Sequence, residues 1–133
     1  MEELCAAGRP VACGGYLDRS SALDLYRSSD FIVIPSRIES IPLVFSDAMQ
    51  CRVPVVCTPV GDLPRLVAGF GCGITAGGVD PFSLAAALTS AVTSPAEHLV
   101  TGTEAAAAEF SPGAAAKTFL GAAGLDRQDG AQG

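Results

Sequence analysis

Apolar residues along this chain gather in short runs separated by segments of helical spacing. Residues 31–35 (FIVIP) and 54–58 (PVVCT) are continuously apolar and rich in β-branched side chains rather than alternating. That pattern marks strands buried on both faces of a parallel sheet. A weaker, glycine-interrupted run at 11–16 and a shorter one at 73–76 read as two further strands. Between the first two, residues 20–29 put Leu23, Tyr26 and Leu25 on one helical face, with Ser20 or Ser21 available as N-cap. Residues 42–51 form a second helix with Pro42 in its first turn, where a missing N–H is no loss. In the next connection Gly61 permits a tight turn, and Asp62 caps a short helix over 63–67.

Beyond Val79 the pattern is helical only. Asp80-Pro81 is a cap followed by a first-turn proline, and residues 82–92 carry Leu84, Leu88 and Val92 at helical spacing. Further helices are expected over 95–109 and 112–120, and their alanine runs predict thin packing against the sheet. Residues 121–133 lack periodicity and are expected to be a disordered tail, leaving one domain over 1–120. Strands alternating with helices give an α/β layer, a partial Rossmann-like parallel sheet flanked by helices. Ligands of such sheets sit outside the carboxyl ends of the strands, which here are the loops 36–42 and 59–63.

Composition narrows the function classes. A chain of 133 residues, 49% hydrophobic, suits one core. Eight basic side chains against 14 acidic ones give a formal net charge of −6, so no basic stripe exists for nucleic acid or anionic lipid. The five cysteines show no CxxC pair and fit neither a disulfide framework nor a zinc site; they read as reduced, buried, small apolar residues. The start MEELCAAGRP does not have the form of a signal peptide, and no apolar run approaches the ~20 residues of a membrane span. A cytoplasmic protein is expected. His98, the single histidine, lies in the helical C-terminal part without catalytic company, and Tyr16 and Tyr26 read as packing residues.

The chemistry-bearing stretch is residues 35–64. Glu39 lies in the loop that enters the second helix, whose N-terminus offers unpaired amides and about half a positive charge. Asp47 lies one turn along, four residues after Leu43, and helical side chains tilt back toward the N-terminus, so the two carboxylates could face one hollow. Amides of Ile41, Leu43 and Val44 suit a phosphate, and carboxylates suit sugar hydroxyls. An acid early in a helix also stabilises it by roughly 0.3–1 kcal/mol, which by itself accounts for Asp47.

The ordered series Asp30, Pro35-Ser36-Arg37, Glu39, Pro42, Asp47-Ala48-Met49, Cys51, Pro54-Val55-Val56, Thr58, Val60-Gly61, Pro64 and Leu66-Val67 resembles the C-terminal, donor-binding half of group 1 (family 4) retaining glycosyltransferases. The likeness continues through Gly71, Gly73, Asp80-Pro81 and Leu84-Ala85, covering roughly residues 9–95. It implies the incomplete C-terminal half of a GT-B fold and binding of a nucleotide-sugar donor, a UDP- or GDP-sugar. The sugar would pass, with retention, to a saccharide or lipid-linked acceptor. By resemblance, Glu39 is the catalytic-site acid beside the donor sugar and Ser40, Ile41, Pro42 and Leu43 meet sugar or diphosphate. Asp47 replaces a second glutamate at the ribose, and Gly61 and Asp62 flank the phosphates. No metal or cofactor is required in this picture, the nucleotide-sugar being a substrate.

The sequence departs from the family pattern at Asp47 (usually Glu), Arg52 (usually Gly) and Asp62 (usually Gly), and Arg65 stands where a Glu is common. Arg65 is expected to offset Asp62. Two β-α units and an acceptor domain of the family are absent from these residues, so a truncated enzyme, inactive alone, is expected. It would depend on a missing half or on self-association through open sheet edges. The competing reading is a non-enzymatic remnant or interaction module. A Rossmann site for another nucleotide is disfavoured, because no GxGxxG follows a strand.

Overall fold

The computed structural model describes residues 10–95 and 97–123. Its elements run α1 (Arg19–Arg27), β1 (Ile32–Ile34), α2 (Leu43–Gln50), β2 (Val55–Cys57), α3 (Leu63–Phe70), β3 (Gly73–Thr75), α4 (Pro81–Thr93), α5 (Glu97–Glu109) and α6 (Pro112–Ala122). The strands form one parallel sheet in the order β1-β2-β3. Ile32 lies opposite Val55, which in turn lies opposite Gly73.

Alternation along these strands feeds two cores. On one face Ile34, Val55 and Cys57 meet Phe45, Ala48 and Met49 of α2, Leu63, Leu66 and Val67 of α3, and Ala106 of α5. Phe110 closes that side, edge-on to Phe45 at 5.5 Å and to Phe70 at 6.1 Å, a geometry that aromatic quadrupoles favour. On the other face Val56 packs with Ala76 and with Ala87 and Ala91 of α4, bordered by Phe31, Ile74, Leu84 and Leu88. This second core is built largely from alanines and is correspondingly thin. Toward β1 that face is open, and Val33 is 39% exposed.

Several expectations need correction. Residues 11–16 form no strand: Gly15 takes φ 63°, no partner strand lies alongside among the described residues, and Tyr16 is 99% exposed rather than packed. Helix α1 begins at Arg19, because the cap is Asp18 rather than Ser20 or Ser21; its carboxylate accepts the Ser21 amide and the Ser20 hydroxyl, both at 2.8 Å. Pro42 is the N-cap of α2, extended at φ −70° and ψ 141°, and not a first-turn residue. Asp62 occupies the N-cap position of α3 without making a side-chain cap, and that helix continues to Phe70 because Leu66 and Val67 are both buried.

The Asp80 cap forms as expected, accepting the amides of Phe82 and Ser83, each at 3.0 Å. Cys57 and Cys72 are buried, but Cys13 is exposed and Cys51 only half-buried; Cys5 lies outside the described residues. Burial pushes the Cys72 thiol up to about 11. Helix α6 runs two residues past Leu120, and the rest of the expected tail, 124–133, lies outside the described residues. No helix among the described residues is long and apolar enough to cross a membrane.

Candidate functional site

At the carboxyl end of the sheet the chain leaves β1 into the loop bearing Glu39 and leaves β2 into the loop bearing Gly61. These two loops are docked on one another. The Asp62 amide donates to the Ser40 carbonyl at 3.1 Å. Gly61, at φ 55°, lies so close to the Glu39 and Ser40 backbone that a β-carbon would overlap the Glu39 carbonyl oxygen. Glycine is therefore required twice here, for its left-handed backbone and for the missing side chain.

The start of the Glu39 loop is held by Thr58. This residue is 2% exposed; its amide donates to the Ile34 carbonyl at 3.2 Å, and its hydroxyl reaches both the Ile34 carbonyl, at 3.3 Å, and the Ser36 carbonyl. The Ser36 hydroxyl in turn donates to the Glu39 carboxylate at 3.4 Å.

Glu39, Ser40, Ile41 and Leu43 are exposed, while Pro42 is buried beneath them. Helix α2 starts at this rim with no side-chain cap, and so does α3. By contrast α1, α4 and α6 are capped by Asp18, Asp80 and Ser111. At α2 the amides of Leu43 and Val44 have no intrahelical acceptor, and the dipole makes that end weakly positive, whereas at α3 the Leu63 amide is already bonded to the Val60 carbonyl at 3.2 Å and Pro64 has no amide hydrogen.

Asp47 is half-buried on α2 and faces α1, with its carboxylate 3.9 Å from the Arg19 guanidinium. Burial first, and then the Asp47 charge, raise the pKa of the Tyr26 phenol on α1. Glu39 and Asp47 thus have different partners, Ser36 for one and Arg19 for the other. A cavity of about 200 Å³ opens at this end of the sheet, lined by Pro35, Arg37, Thr58, Val79, Asp80, Pro81 and Leu84, and neither acid lines it. Asp62 pairs with Arg65 at 3.4 Å, the expected offset of its charge. No group of three or more His, Cys, Asp and Glu among the described residues could hold a metal ion.

Thr58 and Arg37 stand in the sequence only as members of the motif series, with no role assigned to either. The signal for Thr58 was available: a hydroxyl ends an otherwise apolar buried run, and buried hydroxyls are kept where they have a bond to make. Arg37 carried no comparable signal.

A parallel sheet with helices on both faces and two docked loops at its carboxyl edge is part of a GT-B fold. The chain belongs to the group 1 glycosyltransferases, since the sequence model of the family described as Glycosyl transferases group 1 matches residues 2–94. It is 34% identical over 130 residues to a D-inositol 3-phosphate glycosyltransferase of Kineococcus radiotolerans, covering 90% of this chain and 28% of that protein. It is 37% identical over 93 residues to the enzyme of the same name from Corynebacterium jeikeium, covering 70% of this chain and 21% of that one. The sucrose-phosphate synthase of Thermosynechococcus elongatus superposes with a TM-score of 0.73 at 28% identity, over 93% of this chain and 32% of its own. The chain therefore spans about a fifth to a third of the length of these relatives.

Proposed function

We propose that these residues form the donor-side wall of a retaining glycosyltransferase, binding a UDP- or GDP-sugar whose sugar passes to a saccharide or lipid-linked acceptor. The observation that carries this reading is the pairing of docked loops with an uncapped helix end: α2 begins at the docked rim without a side-chain cap, where a diphosphate would complete it. Glu39 would accept hydrogen bonds from donor-sugar hydroxyls, and Asp47, once turned from Arg19, would take those of the ribose. Amides from Ser40 to Leu43, Pro42 excepted, would meet the diphosphate, with Gly61 and Asp62 beside it. As the bond from the anomeric carbon to phosphate breaks, the leaving oxygen gains negative charge, which the α2 amides offset. The Arg65 partner of Asp62 lessens the repulsion between that carboxylate and the phosphate.

No metal and no cofactor enters this scheme. Its site of action is the cytoplasm, where nucleotide-sugars are at hand. Retaining transfer also needs an acceptor held against the donor carbon. The 133 residues by themselves are therefore expected to show no transfer, and to need a further face supplied by another segment or by association along the open β1 edge.

Calorimetry with UDP, GDP and a UDP-sugar tests the reading. Saturable binding lost in Glu39→Ala and Asp47→Ala supports it, and turnover by the 133 residues without a partner contradicts the one-wall description. A non-enzymatic interaction module is the second reading. Two observations favour it: the Arg19 contact on Asp47 and the Asp62 amide already spent on Ser40. Absence of any nucleotide heat would select it.

A further inference from the structure

We infer that Thr58 is a positioning residue for Glu39, a role that rests on the donor-site reading and deepens it. Strand β2 is wholly apolar, with Val55, Val56 and Cys57 all buried, and the position after it is as buried as the strand itself. Valine would fill that position with the same shape. A hydroxyl placed there loses water and must recover a hydrogen bond inside the protein.

The backbone ladder does not require the hydroxyl. The Thr58 amide already closes the last rung on the Ile34 carbonyl at 3.2 Å. The side chain adds a reach past the end of the sheet. Its Oγ1 touches the Ile34 carbonyl at 3.3 Å and, more closely, the Ser36 carbonyl, two residues beyond the last β1 residue. Ser36 is also the residue whose own hydroxyl donates to the Glu39 carboxylate.

Rigid β2 is thereby linked through one side chain to the residue that orients Glu39. The far end of the same loop is fixed by the other half of the β2–α3 connection, where the Asp62 amide holds the Ser40 carbonyl. Between these two points lie only Arg37, Ile38 and Glu39. Ile38 is 92% exposed, so the span gains little order from apolar burial. Its conformation depends on the two hydrogen-bonded ends. Thr58 acts through Ser36 and is not itself a contact of the donor.

The test uses the full 133-residue chain as wild type, Thr58→Val and Thr58→Ser. The first readout is amide hydrogen exchange by NMR without ligand. Thr58→Val is expected to speed exchange of the Asp62 amide, whose acceptor is the Ser40 carbonyl of the loop, tenfold or more while β2 amides change less than threefold, and Thr58→Ser is expected to restore the loop. Equal loop exchange in all three chains, or loosening by Thr58→Ser as large as by Thr58→Val, overturns the assignment.

The second readout is the affinity for UDP-glucose relative to UDP. Thr58→Val should weaken UDP-glucose about tenfold and leave UDP within twofold; an equal loss for both ligands would mark a merely structural role and overturn the proposal. A wild-type chain that binds none of UDP-glucose, UDP, a GDP-sugar and GDP ends the donor reading alone, since the exchange comparison still decides whether Thr58 holds the loop.

Discussion

The carbonyl oxygen of Glu39 occupies the space that a β-carbon on Gly61 would fill. Two loops that the sequence presents separately are in this way one packed unit. Gly61→Ala must both hold a left-handed backbone and push the Glu39 loop aside. Strain and overlap together should destabilise the chain by roughly 2–4 kcal/mol. Denaturant unfolding that places the variant within 0.5 kcal/mol of wild type, on the ordinary scale of a neutral surface change, would show that the docking is soft.

Gly102 sits within α5, where alanine normally gains about 1 kcal/mol over glycine. Here a β-carbon would overlap the Gly71 carbonyl and lie 2.5 Å from that of Phe70, at the end of α3. Backbone cannot give way as a side chain can, so Gly102→Ala is expected to destabilise despite its propensity, by about 1–3 kcal/mol. A higher melting temperature for this variant would mean that α5 rides less closely on α3.

Helix α2 ends in a Schellman turn, with the Arg52 amide on the Met49 carbonyl at 2.9 Å and the Val53 amide on the Ala48 carbonyl at 3.0 Å. The left-handed residue of that turn is Arg52, at φ 58°, where glycine is favoured. Its pairing with Glu104 at 3.5 Å joins two exposed side chains and is of small value. Arg52→Gly should therefore stabilise by about 1 kcal/mol, read as a rise in melting temperature. A fall would assign the Glu104 pair more weight than exposure allows.

The Asp80 carboxyl is held below its ordinary value of 3.8, mainly by the Ser83 hydroxyl and amide, which hydrogen-bond the ionised form. A carboxyl lowered in the folded state contributes stability that is present above its unfolded value and lost as pH falls through the folded one. Asp80→Ala should thus melt below wild type at neutral pH, with the gap closing as pH drops below 3.8. A gap that stays constant down to acid pH would contradict an ionised cap.

Much of the fold was legible because short apolar, β-branched runs announce strands: 31–35, 54–58 and 73–76 contain β1, β2 and β3, although burial on both faces holds along the whole strand only for β2. The run at 11–16 misled because apolar content alone cannot supply a neighbouring strand, and β1 ends the sheet among the described residues. The cap of α1 lies two residues before the first expected position, because the Asp18 carboxylate rather than the Ser20 hydroxyl accepts the first-turn amide. Glu39, Asp47 and Gly61 could be picked out by motif and by strand-end position. The partners of these residues could not, because Arg19 reaches Asp47, and the Thr58 hydroxyl donates to the Ser36 carbonyl, across tertiary contacts. No local pattern encodes either.

The docked rim of Glu39, Ser40 and Gly61 is proposed to receive a nucleotide-sugar. The most direct measurement is an amide chemical-shift map of the labelled chain titrated with UDP- and GDP-sugars. Saturable shifts gathered on residues 39–47 and 59–63, reduced in Glu39→Ala, are expected. Shifts confined to the cavity beside Val79 and Leu84, or no saturable shift with either nucleotide, would contradict the proposal.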